Sequence, residues 1–195
     1  MEPLEVAGNV FTLASVTLAR RNSVHTWWTG LVAVSLYGVM FFGVKLYADV
    51  VLQVFFFGTC VVGWRQWLHG GAGGGELPIS DLTDRQRWLA GAAVLGAALF
   101  FGTMFGQFTD AALPYADSYI LGGSVVAQLL MMRRKRDHWW IWITVDVVAI
   151  GVYAMKELYL TSAVYGVLLV LCVQGVAEWR RLYAAQGVAP ADAIP

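Results

Sequence analysis

The chain has 195 residues, 58% of them hydrophobic and only 13% charged, with a mean hydropathy of +0.62. A soluble domain carries about a quarter charged residues, so half that share, together with 9 Trp, 8 Tyr and 10 Phe, indicates a polytopic membrane protein. The formal net charge is zero and no basic stretch is interleaved with aromatics, which excludes a nucleic-acid partner.

A membrane span needs about 20 mostly apolar residues, and the sequence predicts seven spans. The opening MEPLEV is acidic and lacks the basic start of a cleaved signal peptide. The first span covers about Val6 to Leu18, somewhat short, and closes at Arg20-Arg21. The second runs from about Trp27 to Val44 and the third from about Leu46 to Trp67. GGAGGG at 70–75 then leads into the polar ELPISDLTDRQR, where Ser80 or Asp81 is expected to cap the start of the fourth helix, about Trp88 to Phe108. The fifth span is about Tyr115 to Met132, the sixth about Trp139 to Leu158 and the seventh about Tyr159 to Trp179. The tail GVAPADAIP is expected to be disordered.

Charge placement supports an odd count. Eleven of the thirteen Lys and Arg follow the first, third, fifth and seventh spans, and only Lys45 and Lys156 fall on the other side. The positive-inside rule then puts the N-terminus outside and the C-terminus in the cytoplasm.

The two halves repeat. At a constant offset of 112 residues, Arg21 pairs with Arg133, Trp27-Trp28 with Trp139-Trp140, Leu46-Tyr47 with Leu158-Tyr159, Cys60 with Cys172, Gly63 with Gly175, and Trp67 with Trp179. The expected fold is therefore all-α and integral to the membrane, with seven transmembrane helices arranged 3+1+3. A first repeat spans 1–68, a cytoplasmic Gly-rich linker 69–87, a connecting helix 88–108, a second repeat 115–181 and a cytoplasmic tail 182–195. The intervening fourth helix gives both repeats the same orientation, and such architectures hold substrate near the midplane between repeats.

The repeats differ where chemistry is expected. Asp146 replaces Val34, Trp142 replaces Gly30 and Tyr153 replaces Phe41. An ionisable group at that depth costs roughly 2.5–3.5 kcal/mol and normally faces a cavity or a partner. Trp139, Trp142, Asp146 and Tyr153 share one helical face and suit a flat or cationic ligand; the alternative is an aspartate that only bonds a neighbouring helix. Gln53, in a stripe with Asp49, Cys60 and Trp64, is weighed between ligand binding and interhelical bonding. Gln128 is weighed in the same way, and Tyr165 has a hydroxyl that needs a partner. The candidate substrate-binding set is Gln53, Trp64, Gln128, Trp139, Trp142, Asp146, Tyr153 and Tyr165.

Other signals point to structure. Trp27, Trp28, Trp67, Trp140 and Trp179 sit near span ends, as an interfacial aromatic belt would place them. Cys60 and Cys172 read as small buried residues. Gly102 and Gly106 form GxxxG, which permits close helix contact within or between protomers. The glycine run lacks the Lys-Ser/Thr of a phosphate-binding loop. His25, His69 and His138 lack metal-ligand spacing, and the last span has no lysine to hold retinal. No cofactor, metal or catalytic residue is expected.

These residues resemble the PnuC-type vitamin transporters of bacteria, best known for nicotinamide riboside. The likeness rests on Trp139-x-x-Trp142-x-x-x-Asp146, then Tyr153, Lys156, Leu160 to Ala163, Tyr165, Gly175 and Trp179. It extends to Asp117, Ser124, Ala127 and Gln128, and to YADVVLQ with Gly63 and Trp67. It implies an inner-membrane homotrimer, in contact with lipid, that takes up the riboside by facilitated diffusion. Uptake becomes one-way when a cytoplasmic kinase phosphorylates the vitamin. Another vitamin such as thiamine, a sugar facilitator of similar arrangement, and a structural or sensory membrane protein are the competing expectations. No arginine lies within a span, so a phosphorylated ligand would lack the clamp it needs.

Overall fold

The structure, a computed structural model, describes residues 3–43, 45–110 and 112–187. These form seven α-helices: α1 (Pro3–Arg20), α2 (His25–Gly43), α3 (Tyr47–His69), α4 (Asp84–Phe108), α5 (Pro114–Met132), α6 (His138–Met155) and α7 (Tyr159–Ala185). One 3-10 turn, Ala72–Gly74, follows α3. Helices α2, α4, α6 and α7 are each long and apolar enough to cross a membrane. The predicted tail lies almost wholly outside the described residues; α7 itself continues past Trp179 to Ala185.

The chain divides into two compact units, Met1–Pro78 with Met131–Arg134, and Ile79–Leu130 with Lys135–Pro195. The first contains α1 to α3. Its turns depend on left-handed residues: Asn22 at φ 53° between α1 and α2, and Lys45 at φ 63° between α2 and α3. In each turn two amides close back on the preceding helix, Asn22 N–H to the Ala19 carbonyl and Ser23 N–H to that of Leu18, then Lys45 N–H to Phe42 and Leu46 N–H to Phe41. The core is Trp27 set edge-on to Trp67, ring centroids 5.2 Å apart. Gly63 makes room for it, because a Cβ there would lie 2.4 Å from the Trp27 ring.

Arg134 closes this unit from below the helix ends. It is 5% exposed, donates to Asn22 Oδ1 and to the Leu77 carbonyl, and covers the Trp67 ring. Burial pulls its guanidinium below the ordinary arginine value, and Glu76 at 3.5 Å partly opposes that.

The second unit contains α4 to α7. Glu157 at φ 60° turns α6 into α7, with Glu157 N–H to Ala154 and Leu158 N–H to Tyr153. These positions lie 112 residues beyond Lys45, Leu46, Phe42 and Phe41. The left-handed Arg134 likewise lies 112 beyond Asn22. Trp139 and Trp179 meet edge-on at 5.9 Å, and a Cβ on Gly175 would lie 2.6 Å from the Trp139 ring.

These tryptophans correct the belt expectation. Trp27, Trp67, Trp139 and Trp179 are all at most 2% exposed, and only Trp28 and Trp140 face outward. The glycine slots explain the difference: each lets an indole slide between helices instead of lying at a surface.

The start of α4 also departs from expectation. Thr83, not Ser80 or Asp81, caps it through a full capping box with Gln86. Asp81 is held elsewhere, by a two-pronged ion pair with Arg136, while the Ser80 carbonyl accepts from the Arg136 amide. Gly102 and Gly106 accommodate Tyr115 and Pro114 at the start of α5, so this GxxxG serves contact within the chain.

Candidate functional site

Helices α6 and α7 form the centre of the site. The short Glu157 turn folds them back on each other, and Ser162 Oγ donates to the Ile150 carbonyl at 3.0 Å. Asp146 projects from the middle of α6 and is 1% exposed. The Cys172 thiol of α7 donates to its carboxylate. The other oxygen, Oδ2, has no hydrogen-bond partner among the described residues. A buried carboxylate half satisfied in this way is costly unless a ligand or proton completes it.

Two aromatic groups flank this helix pair. Tyr153 of α6 stacks on Tyr165 of α7, centroids 5.2 Å apart and 20° from parallel. Trp142, one turn before Asp146, is half-buried. Trp139 is buried and packs on Trp179 and on His138, so its ring serves the core. Its Nε1 has no partner among the described residues.

Helix α5 adds polar groups within the same unit. Tyr119 donates to Thr144 of α6 at 2.8 Å. Gly123 lets α5 approach α6 closely, since its Cβ would meet Val145 at 2.4 Å. Gln128 is 8% exposed, and Ser118 is fully buried with an unpartnered Oγ. The remaining two candidates belong to the other unit. Gln53 is half-buried opposite Gly38 of α2, and Trp64 is 36% exposed.

The structure thus brings Asp146, Tyr153 and Tyr165 onto one helix pair, with Trp142 on the same α6. Three participants were not singled out from sequence. Cys172 was read only as a small apolar residue, although its constant spacing from Cys60 marks a position kept in both halves. Ser118 carried no signal. Lys156 donates to both oxygens of Asp117 at 2.7 and 2.9 Å, a pairing between residues 39 apart that no local pattern announces. That ion pair engages the cation at the end of α6. Among the described residues no group of three or more His, Cys, Asp or Glu is placed to hold a metal ion.

A half-satisfied carboxylate between aromatic groups is equipped to bind, with no nucleophile and base set against each other. The sequence model of the family described as nicotinamide mononucleotide transporter matches residues 2–181. The chain belongs to this family. It is 28% identical over 201 residues to the nicotinamide riboside transporter PnuC of Escherichia coli (strain K12), covering 90% of this chain and 84% of that one. It is equally 28% identical, over 185 residues, to the riboflavin/roseoflavin transporter RibM of Streptomyces davaonensis, covering 90% and 83%. The crystal structure of the vitamin B3 transporter PnuC superposes with a TM-score of 0.73 at 26% identity, covering 93% of this chain and 82% of that one. The family is one of transporters, and the protein is not an enzyme.

Proposed function

We propose that this protein takes up nicotinamide riboside by facilitated diffusion across a bacterial inner membrane, made one-way by phosphorylation in the cytoplasm. Membership of the family and the likeness to riboside transporters support the substrate class. Asp146 supports the cationic form of it: a buried carboxylate with one uncommitted oxygen suits a ligand whose nicotinamide ring is positive. Trp142 and Tyr153 would contact the ring or ribose, with Trp139 behind them. Gln128, Tyr165 and Gln53 would bond the hydroxyls, and Trp64 would make the smallest contribution.

Seven spans in a 3+1+3 order account for the left-handed residues and the Trp-on-Gly contacts that recur 112 residues apart. In that scheme repeats 1–68 and 115–181 are parallel and joined by the 69–87 linker and the helix 88–108. The N-terminus is outside, the C-terminus is inside with the 182–195 tail, and the unit of assembly is a homotrimer in lipid.

The mononucleotide fits less well. Its phosphate needs a clamp of cations, and Lys156, the cation at the end of α6, is already engaged by Asp117. Riboflavin is the second candidate, favoured by the relative that carries it. Its ring is neutral, so it makes no use of a charged Asp146.

The test is titration calorimetry of purified protein in detergent with riboside, mononucleotide, thiamine and riboflavin. Riboside binding that Asp146→Asn abolishes supports the assignment. Riboflavin or thiamine binding with no riboside signal moves the substrate and keeps the fold.

A further inference from the structure

A second recess lies away from Asp146, wholly within the unit of α4 to α7. It is an open cleft of about 520 Å³ where the start of α4, the start of α6 and the end of α7 converge. Arg87, Arg136 and Arg180 line it, against a single lining carboxylate, Asp137. Its other walls are apolar, and Gly91 faces open space, so a Cβ there would meet nothing.

The three arginines are not equivalent. Arg87 is bound to Asp84 and Asp137, at 2.8 and 2.9 Å. Arg136 is held by Asp81 and lies over Tyr183. Asp137 is committed on both oxygens, to Arg87 and to the Leu82 amide. Arg180 is exposed, has no carboxylate partner among the described residues, and rests 5.7 Å above the Trp140 ring. Trp140 is itself 52% exposed at the first turn of α6.

The cleft therefore lacks one anion. It sits at the ends of three helices that are each long and apolar enough to cross a membrane. At that level an exposed indole beside arginines meets lipid headgroups, and basic recesses between spans recognise anionic ones. We infer that this cleft binds the headgroup of an anionic phospholipid, with Arg180 as the free cation, Trp140 at the glycerol level and the Gly91 wall accommodating the start of an acyl chain.

The test is native mass spectrometry of the full chain in detergent, titrated with phosphatidylglycerol or phosphatidylcholine. Phosphatidylglycerol is expected to be retained preferentially. Arg180→Gln should lower its occupancy about fivefold, the contribution of one arginine near an anionic headgroup. Gly91→Leu, which fills the apolar wall without touching a charge, should lower it as well. Arg181→Gln, whose partner is Glu178 and which does not line the cleft, should leave it unchanged. Equal retention of both lipids, or wild-type occupancy in both cleft variants, would overturn the inference. So would displacement by millimolar inorganic phosphate, which would make the cleft a general anion site. A change of oligomeric state in Arg180→Gln, without loss of lipid, would instead assign the cleft to a contact between copies.

Discussion

The two units are built on one plan and differ in what they bury. In the first, Gly30 is closed off by Cys60 and Ser15, each 3.3 Å from where its Cβ would stand. At the matching place in the second stands Trp142. Val34 of the first unit matches Asp146 of the second, and Val6 matches the fully buried Ser118. The tryptophan cores are nearly superimposable in design: edge-on pairs at 5.2 and 5.9 Å, each over a glycine. Packing was thus kept in both units while polar groups accumulated in one. The second unit carries the recognition chemistry, and the first preserves the scaffold from which it departs.

The largest expected effect tests that division directly. Asp146→Asn should weaken riboside binding by about 10- to 100-fold, the loss expected for a hydrogen bond to a charged group. The reciprocal Val34→Asp should leave affinity alone and destabilise the fold by roughly 2.5–3.5 kcal/mol. Calorimetry and thermal unfolding in detergent separate the two. Equal affinity losses at both positions would remove the asymmetry.

Next come the glycine slots, where the units should behave alike. Gly63→Ala and Gly175→Ala each push a methyl into an indole ring, which should cost about 1–3 kcal/mol by overpacking. Matching falls in unfolding temperature are expected. A fall in only one unit would show that the two cores are not energetically equivalent.

Smaller is the ion pair of Lys156 with Asp117, about a third exposed on both sides. Removing it by Lys156→Ala should cost no more than about 1 kcal/mol. The double reversal Lys156→Asp with Asp117→Lys should restore the wild-type melting temperature. If Lys156→Ala abolished binding of a phosphorylated ligand, the lysine would belong to the site after all. The smallest effect is expected at Trp64, 36% exposed on the first unit. Trp64→Ala should change affinity by about twofold or less, in the range of surface substitutions. A tenfold loss would bring the first unit fully into recognition.

Much of this was legible in the sequence. Composition and apolar run lengths gave seven helices within a few residues, because a lipid environment demands helix wherever an apolar stretch is long enough. The 112-residue register located Trp27, Gly63, Trp67 and their counterparts. Asp146 stood out because an acid inside an apolar run is expensive wherever it lies.

The tertiary structure decided the rest. Only packing shows that four of the terminal tryptophans are core residues, since depth and burial are separate coordinates and a linear pattern reports only depth. Only packing shows that Asp81 is taken by Arg136, leaving Thr83 to cap α4, and that Cys172 reaches Asp146 across the α6–α7 pair. The sequence by itself determined which segments are helices, how they repeat and where a charge is buried, because those follow from local period and hydropathy. Which groups meet, which oxygen stays free and which arginine stays unpaired depend on approaches between residues tens of positions apart, and only the folded chain sets those distances.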